Sequence, residues 1–152
     1  MRKTMKFILM LLLVVPINIF AINFKIVGGC SNEPLFEKEI AVMMDKNLSA
    51  ISIAIFNEHV IPFMLDEEEI SSIYQMPSGF DAIEVVKPGA FRMYGWCYRI
   101  NGKSTETLAS QQFLLDQGDE VLWYYAYSNF YDGSWQEYCL DATIAPPSFL
   151  CD

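Results

Sequence analysis

The sequence predicts an α+β domain in which one helix covers a face of a β-sheet. Three observations carry this. Short runs rich in Val, Ile, Phe, Tyr and Trp recur along the chain. Clusters of Gly, Pro, Asn and Asp separate them, as turns separate strands. Helix-compatible segments fall between the early runs and the late ones, and strands flanking one helix imply a helix layered on a sheet.

Phe24 to Val27 is a short apolar strand, and Gly28 to Pro34 is dense in turn residues. Leu35 to Met43 follows, with Phe36, Ile40 and Val42 as its apolar members, so the two read as a hairpin. Asn47 to Val60 fits two templates. Ile51, Ile53 and Ile55 alternate as in a strand, while Leu48, Ile51, Ile55 and His59 recur at helical spacing behind capping residues Asn47 and Ser49. Pro62 ends any helix there. Asp66-Glu67-Glu68-Glu69 precedes Ile70, Ile73 and Tyr74; an Asp cap with Glu three residues on predicts a short helix from Glu67 to about Gln75.

The second half reads as β structure. Ala82 to Val86 is a strand, Lys87 to Ala90 a turn, and Phe91 to Ile100 a strand closed by the tight-turn dipeptide Asn101-Gly102. Ala109 to Leu115 is extended and Asp116 to Asp119 turns the chain. Glu120 to Tyr127 is the strongest strand. Residues 128–152 form an aromatic, cysteine-bearing tail, with Gly133-Ser134-Trp135 as a turn fragment.

Met1 to Lys6 is basic, Phe7 to Val15 is unbroken apolar, and Ile19-Phe20-Ala21 offers a small residue for cleavage. This is the pattern of a signal peptide, expected to be cut after Ala21. The run is shorter than the roughly 20 residues of a membrane span, so no span is expected after cleavage, and the mature protein is expected in the periplasm or outside the cell. Residues 1–21 hold Arg2, Lys3 and Lys6 and no acid, so their removal takes the net charge from −9 to −12. Such a surface repels nucleic acid, whose phosphates need Lys and Arg to neutralise them.

About 130 residues remain, enough for one domain. All four cysteines lie there, and an even number in an exported chain argues for disulfides, with three connectivities open. Cys97 falls in a central strand and Cys139 follows a strand expected beside it, so Cys97–Cys139 and Cys30–Cys151 are the expected pairs.

No residue pattern announces catalysis. His59 is the single histidine, no serine sits in a nucleophile elbow, and the cysteines match no zinc spacing. The acids at 66–69 read as a solvated helix start and Asp116 with Asp119 as a turn, since a calcium loop needs further ligands at fixed spacing. No enzyme activity, metal or cofactor is expected. The surplus is aromatic. On strands Tyr94, Trp96 and Tyr98 share one face, and so do Trp123, Tyr125 and Tyr127. If the two strands pair, a Trp/Tyr platform results, which is either core beneath the helix or a face for a planar ligand. Tyr124 points the other way and is expected to be better exposed.

Gly95-Trp96-Cys97-Tyr98-Arg99-Ile100-Asn101-Gly102 and, downstream, Leu115-Asp116-Gln117-Gly118-Asp119-Glu120-Val121-Leu122-Trp123 resemble the two linked motifs of the transcobalamin-like C-terminal domain family. Leu35 to Val42 fits that family's second strand loosely. The resemblance spans about residues 22–128 and implies a soluble ligand-binding β-grasp fold, a mixed sheet with its helix near Asn47–Val60. The resulting division is a signal peptide at 1–21, the β-grasp-like domain at 22–128 and a tail packed on it at 129–152. Cys97 and the tail depart from the family pattern, and the large helical domain that helps animal carriers hold cobalamin has no counterpart here, so the fold alone does not transfer that ligand. The resemblance makes Trp96 and Trp123 structural and leaves Tyr98 and Tyr124 as contacts, with Tyr94 and Tyr125 beside them. The function expected is a non-catalytic module binding a small molecule; the alternative is an exported protein-binding factor such as an adhesin, an inhibitor or a host-directed protein.

Overall fold

Two parallel strands lie side by side at the centre of the sheet, β1 (Ile19–Val27) and β8 (Glu120–Tyr131). The structure, a computed structural model, describes residues 19–43, 45–113 and 116–151; the basic start and apolar run of the expected signal peptide lie outside them. β2 (Pro34–Met43) returns antiparallel on β1, as the hairpin reading requires. On the other edge of β8, β6 (Ala90–Ile100) pairs along its whole length and carries β5 (Ile83–Lys87) outside it. The order β2-β1-β8-β6-β5 is completed by β7 (Lys103–Ser104) on β6 and β9 (Ser134–Asp141) on β8. With helix α1 (Leu48–Glu58) on one face, this is the expected α+β, β-grasp-like mixed sheet.

The ambiguous segment is a helix. Asn47 Oδ1 accepts the Ala50 N–H at 2.8 Å as its N-cap. Leu48, Ile51, Ile55 and Phe56 recur on one side and are buried against Phe24, Ile26, Val121 and Trp123 of the sheet. Each such side chain contributes on the order of 2 kcal/mol of burial. The helix ends without glycine. Val60 takes φ 55°, and the Ile61 N–H returns to the Phe56 carbonyl at 2.9 Å.

The short helix expected from Glu67 does not form. The segment is a hairpin of β3 (Phe63–Asp66) and β4 (Glu69–Ile73), turning at Glu67, which has φ 55°. The acids that looked like a helix cap flank the turn, Asp66 facing Glu69. Ile70 and Ile73 are buried in the same cluster as α1, and that contact lies beyond any local pattern.

The first part of the region expected to be a tail, residues 129–141, belongs to two sheet strands and the turn between them. β8 runs four residues past Tyr127, through the boundary expected at 128, and folds back through Asp132-Gly133 into β9. Only residues 142–151 lie off the sheet, over the face that holds Tyr94, Tyr125 and Tyr127. Cys30 is bridged to Cys151, tying their end to the β1–β2 loop, and Cys97 on β6 is bridged to Cys139 on β9. Residues 109–113 are not a strand. They dock on the start of α1, where the Ser49 N–H meets the Ala109 carbonyl at 3.0 Å and the Leu48 N–H meets that of Gln112 at 2.7 Å.

Candidate ligand groove at the bare edge of β6

The expected aromatic platform exists. Tyr94 faces Tyr127, Trp96 faces Tyr125 and Tyr98 faces Trp123 across β6 and β8. Most of it is core. Tyr94, Trp123 and Tyr125 are 1%, 3% and 0% exposed. Their polar atoms are taken inside the fold: Trp123 Nε1 donates to Ser52 Oγ at 2.9 Å, Tyr125 Oη donates to the Pro77 carbonyl, and Tyr94 Oη lies 3.0 Å from both Glu84 Oε2 and the Ala145 carbonyl. Burial, then the neighbouring Glu84, pushes the Tyr94 phenol up to about 12. Burial also drives Tyr125 upward, with Tyr94 adding to it.

Tyr124 is the clear correction. It points to the opposite face as expected, yet it is 0% exposed. Val27, Ala126 and both cysteines of the Cys97–Cys139 bridge pack around it. The Arg99 guanidinium lies 4.1 Å from its ring centre and its Oη donates to the Cys139 carbonyl at 2.9 Å. The Cys97–Cys139 bridge was expected; what the sequence did not show is that Cys139 lies on a strand, β9, paired with β8 beside Tyr124.

The accessible aromatic is Trp96. On its outer edge β6 is covered by β5 only as far as Met93, and β7 resumes only at Arg99. The Asn101 N–H points at β8, bonding the Glu120 carbonyl at 2.9 Å. Alternation therefore turns the backbone N–H and C=O of Trp96 outward, to the uncovered edge. Around that edge runs a groove of about 880 Å³. Its floor is Trp96, Tyr98 and Trp123; one wall is Glu69 and Ile70 of β4, another is the segment 104–109, and Cys97, Cys139 and Tyr138 close it from the opposite face. A smaller recess of about 260 Å³ continues along the same edge past Tyr94, Gly95 and Ser78.

Hydrogen bonds set the walls. The Tyr98 hydroxyl donates to the Thr107 carbonyl, and the Ser110 N–H donates to Glu69 Oε1 at 3.2 Å. Burial raises the Tyr98 phenol and the negative Glu69 adds to that, against a lowering by Thr105. Ser49 Oγ donates to the Glu68 carbonyl at 2.9 Å, so α1 holds the β3–β4 hairpin in place. Among the described residues, Trp96 Nε1 is buried with no hydrogen-bond partner. Of the aromatics named from the sequence, Trp96, Tyr98 and Trp123 line this groove, although the resemblance makes Trp96 and Trp123 structural; the sequence assigns neither Glu69, the 104–109 wall nor Tyr138 to it. The gap between β5 and β7 was their only signal.

His59 stands apart from the groove lining. It caps the C-terminus of α1, its ring 5.0 Å from that of Phe36. No group of three or more His, Cys, Asp or Glu side chains is placed to hold a metal among the described residues.

Residues 81–126 match a domain family of unknown function, DUF4430. The matched stretch covers β5, β6, β7 and the first half of β8, and contains both motifs of the transcobalamin-like resemblance. The match is to DUF4430 and not to the transcobalamin-like family. No curated protein matches the chain. Among solved structures, a crystal structure of a candidate metal-binding protein from Ruminococcus gnavus is similar, at 16% identity and a TM-score of 0.43, over 70% of this chain and 95% of that one. A likeness that distant carries no argument about metal binding here.

Proposed function

We propose that this protein is an exported, non-catalytic binding module that holds a small molecule in the groove at the bare edge of β6. The groove itself carries the reading. Its volume of about 880 Å³ falls in the range of small-molecule sites. Its lining brings together the aromatic side chains Trp96, Tyr98 and Tyr138. The transcobalamin-like resemblance of the strands that form its floor supports the same reading. The placement of His59 against Phe36, outside the groove lining, supports the non-catalytic part.

Export is supported by the two disulfides, which persist in oxidising compartments. Among the described residues no helix is long and apolar enough to cross a membrane. Cleavage after Ala21 is compatible with the sheet. It removes the three strand residues paired with 41–43 and leaves Asn23 to Val27, which carry all the pairing to β8. Intact mass measurement on protein recovered from the producing organism tests this: a chain beginning at Ile22 is expected, and one still beginning at Met1 rejects export by this route.

The binding reading is tested by a thermal-shift screen of a chemically diverse small-molecule set, with hits repeated on Trp96→Phe, which keeps an aromatic ring and removes part of the indole's surface and its N–H. Hits that stabilise the parent more than this variant support the groove. A screen in which no compound distinguishes the two proteins rejects it.

A further inference from the structure

We infer that the ligand of the β6 groove is an organic cation with a flat or apolar body. This rests on the binding reading above and names the chemistry that the site would select. Two carboxylates, Glu69 and Glu106, line the groove, and no Lys, Arg or His does. Among the described residues neither carboxylate forms an ion pair; the Lys and Arg ion pairs lie elsewhere, at Lys25–Glu37, Lys46–Asp45 and Arg92–Glu84. Glu69 uses Oε1 to accept the Ser110 N–H, a bond that fixes the carboxylate at the wall without neutralising it.

The apolar part of the site has the matching geometry. The Trp96 indole and the 66%-exposed Tyr138 bring aromatic surface to the same groove as the carboxylates. Aromatic faces attract cations through their quadrupole, so rings and carboxylates favour the same charge. An anion entering here would meet two like charges in a chain of net charge −9, with only uncharged donors, such as the hydroxyls of Ser104, Thr105 and Thr107, among the lining to replace its hydration. A neutral ligand would gain the ring contact and leave both carboxylates unused.

The test uses three probes of matched shape, 4-phenylbutylammonium, 4-phenylbutanol and 4-phenylbutyrate, titrated at neutral pH while the Trp96 indole N–H resonance is followed by NMR. The ammonium probe is expected to move that resonance and to bind about fivefold or more tighter than the alcohol, as a partly solvated ion pair allows. The butyrate is expected to bind weakest. The Glu69→Gln/Glu106→Gln variant should erase the preference for the ammonium over the alcohol, and raised salt should do the same in the parent. The Glu69→Gln change keeps a side-chain oxygen for the Ser110 N–H, and circular dichroism checks that the variant folds. Binding of the alcohol or butyrate at Trp96 as tightly as the ammonium would overturn the cation assignment while leaving the groove as a binding site. No response at Trp96 to any probe would also overturn it, and the thermal-shift comparison of Trp96→Phe then decides the groove reading by itself.

Discussion

Trp123 Nε1 donates a hydrogen bond of 2.9 Å to Ser52 Oγ, joining the central strand of the sheet to the inner side of α1 across 71 residues of sequence. Both residues are buried, at 3% and 0% exposure. The contact fixes the rotation of α1, and so the position of the Ser49–Glu68 bond that holds the groove's β4 wall.

Ser52→Ala leaves the Trp123 N–H buried and unpaired. A loss of about 1–3 kcal/mol is expected in urea unfolding. Trp123→Phe removes the other partner, and the double variant should lose less than the sum of the two. Additive losses in the double-mutant cycle would show that the bond carries no coupling.

Gly29 stands where no larger residue fits. A Cβ there would lie 2.7 Å from Cδ1 of Tyr125, whose ring is fully buried and whose hydroxyl is held by the Pro77 carbonyl. Gly29→Ala should cost about 1–3 kcal/mol, because the ring has nowhere to retreat. A thermal midpoint equal to the parent's would mean that Tyr125 moves freely.

The Cys97–Cys139 bridge joins residues 42 apart and roofs Tyr124. Replacing both cysteines by Ala is expected to remove about 2–4 kcal/mol, chiefly through a freer unfolded chain. Because both cysteines also line the groove, the same variant should weaken any groove ligand. Unfolding curves and probe titration on the one protein separate the two effects.

Glu84 sets an acid limit on stability. The Ser148 hydroxyl holds its carboxyl below the ordinary value of 4.5, helped by the Ser148 N–H, by Tyr94 and by Arg92 and opposed by burial. A folded pKa lower than the unfolded one gives stability that is complete above the unfolded value and lost as pH falls through the folded one. The thermal midpoint of the parent should therefore exceed that of Glu84→Gln near about pH 6, and the gap should close toward about pH 3. A gap that is constant with pH would remove the ionised carboxylate from the account.

What the sequence determined by itself is the local part. Alternation in β6 and β8 placed Tyr94, Trp96, Tyr98, Trp123 and Tyr125 on one sheet face, because successive side chains of a strand must point to opposite sides. Asn101-Gly102 turned the chain where φ is positive at both residues, a conformation few other dipeptides take cheaply. Strand positions followed from composition for the same reason. Whether those faces are covered was decided by contacts far apart in sequence. The acids at 66–69 suit a helix start and a hairpin turn alike, and the hairpin won because it sets Ile70 and Ile73 into the core beneath α1. Tyr124 lost its expected exposure to β9, a strand more than ten residues away in a segment that reads as tail in the sequence. Trp96 gained its access because β5 stops at Met93 and β7 begins at Arg99, leaving an edge between them. A pleat fixes which side a residue faces; only the packing of distant elements fixes what lies on that side, and the groove is a product of the second.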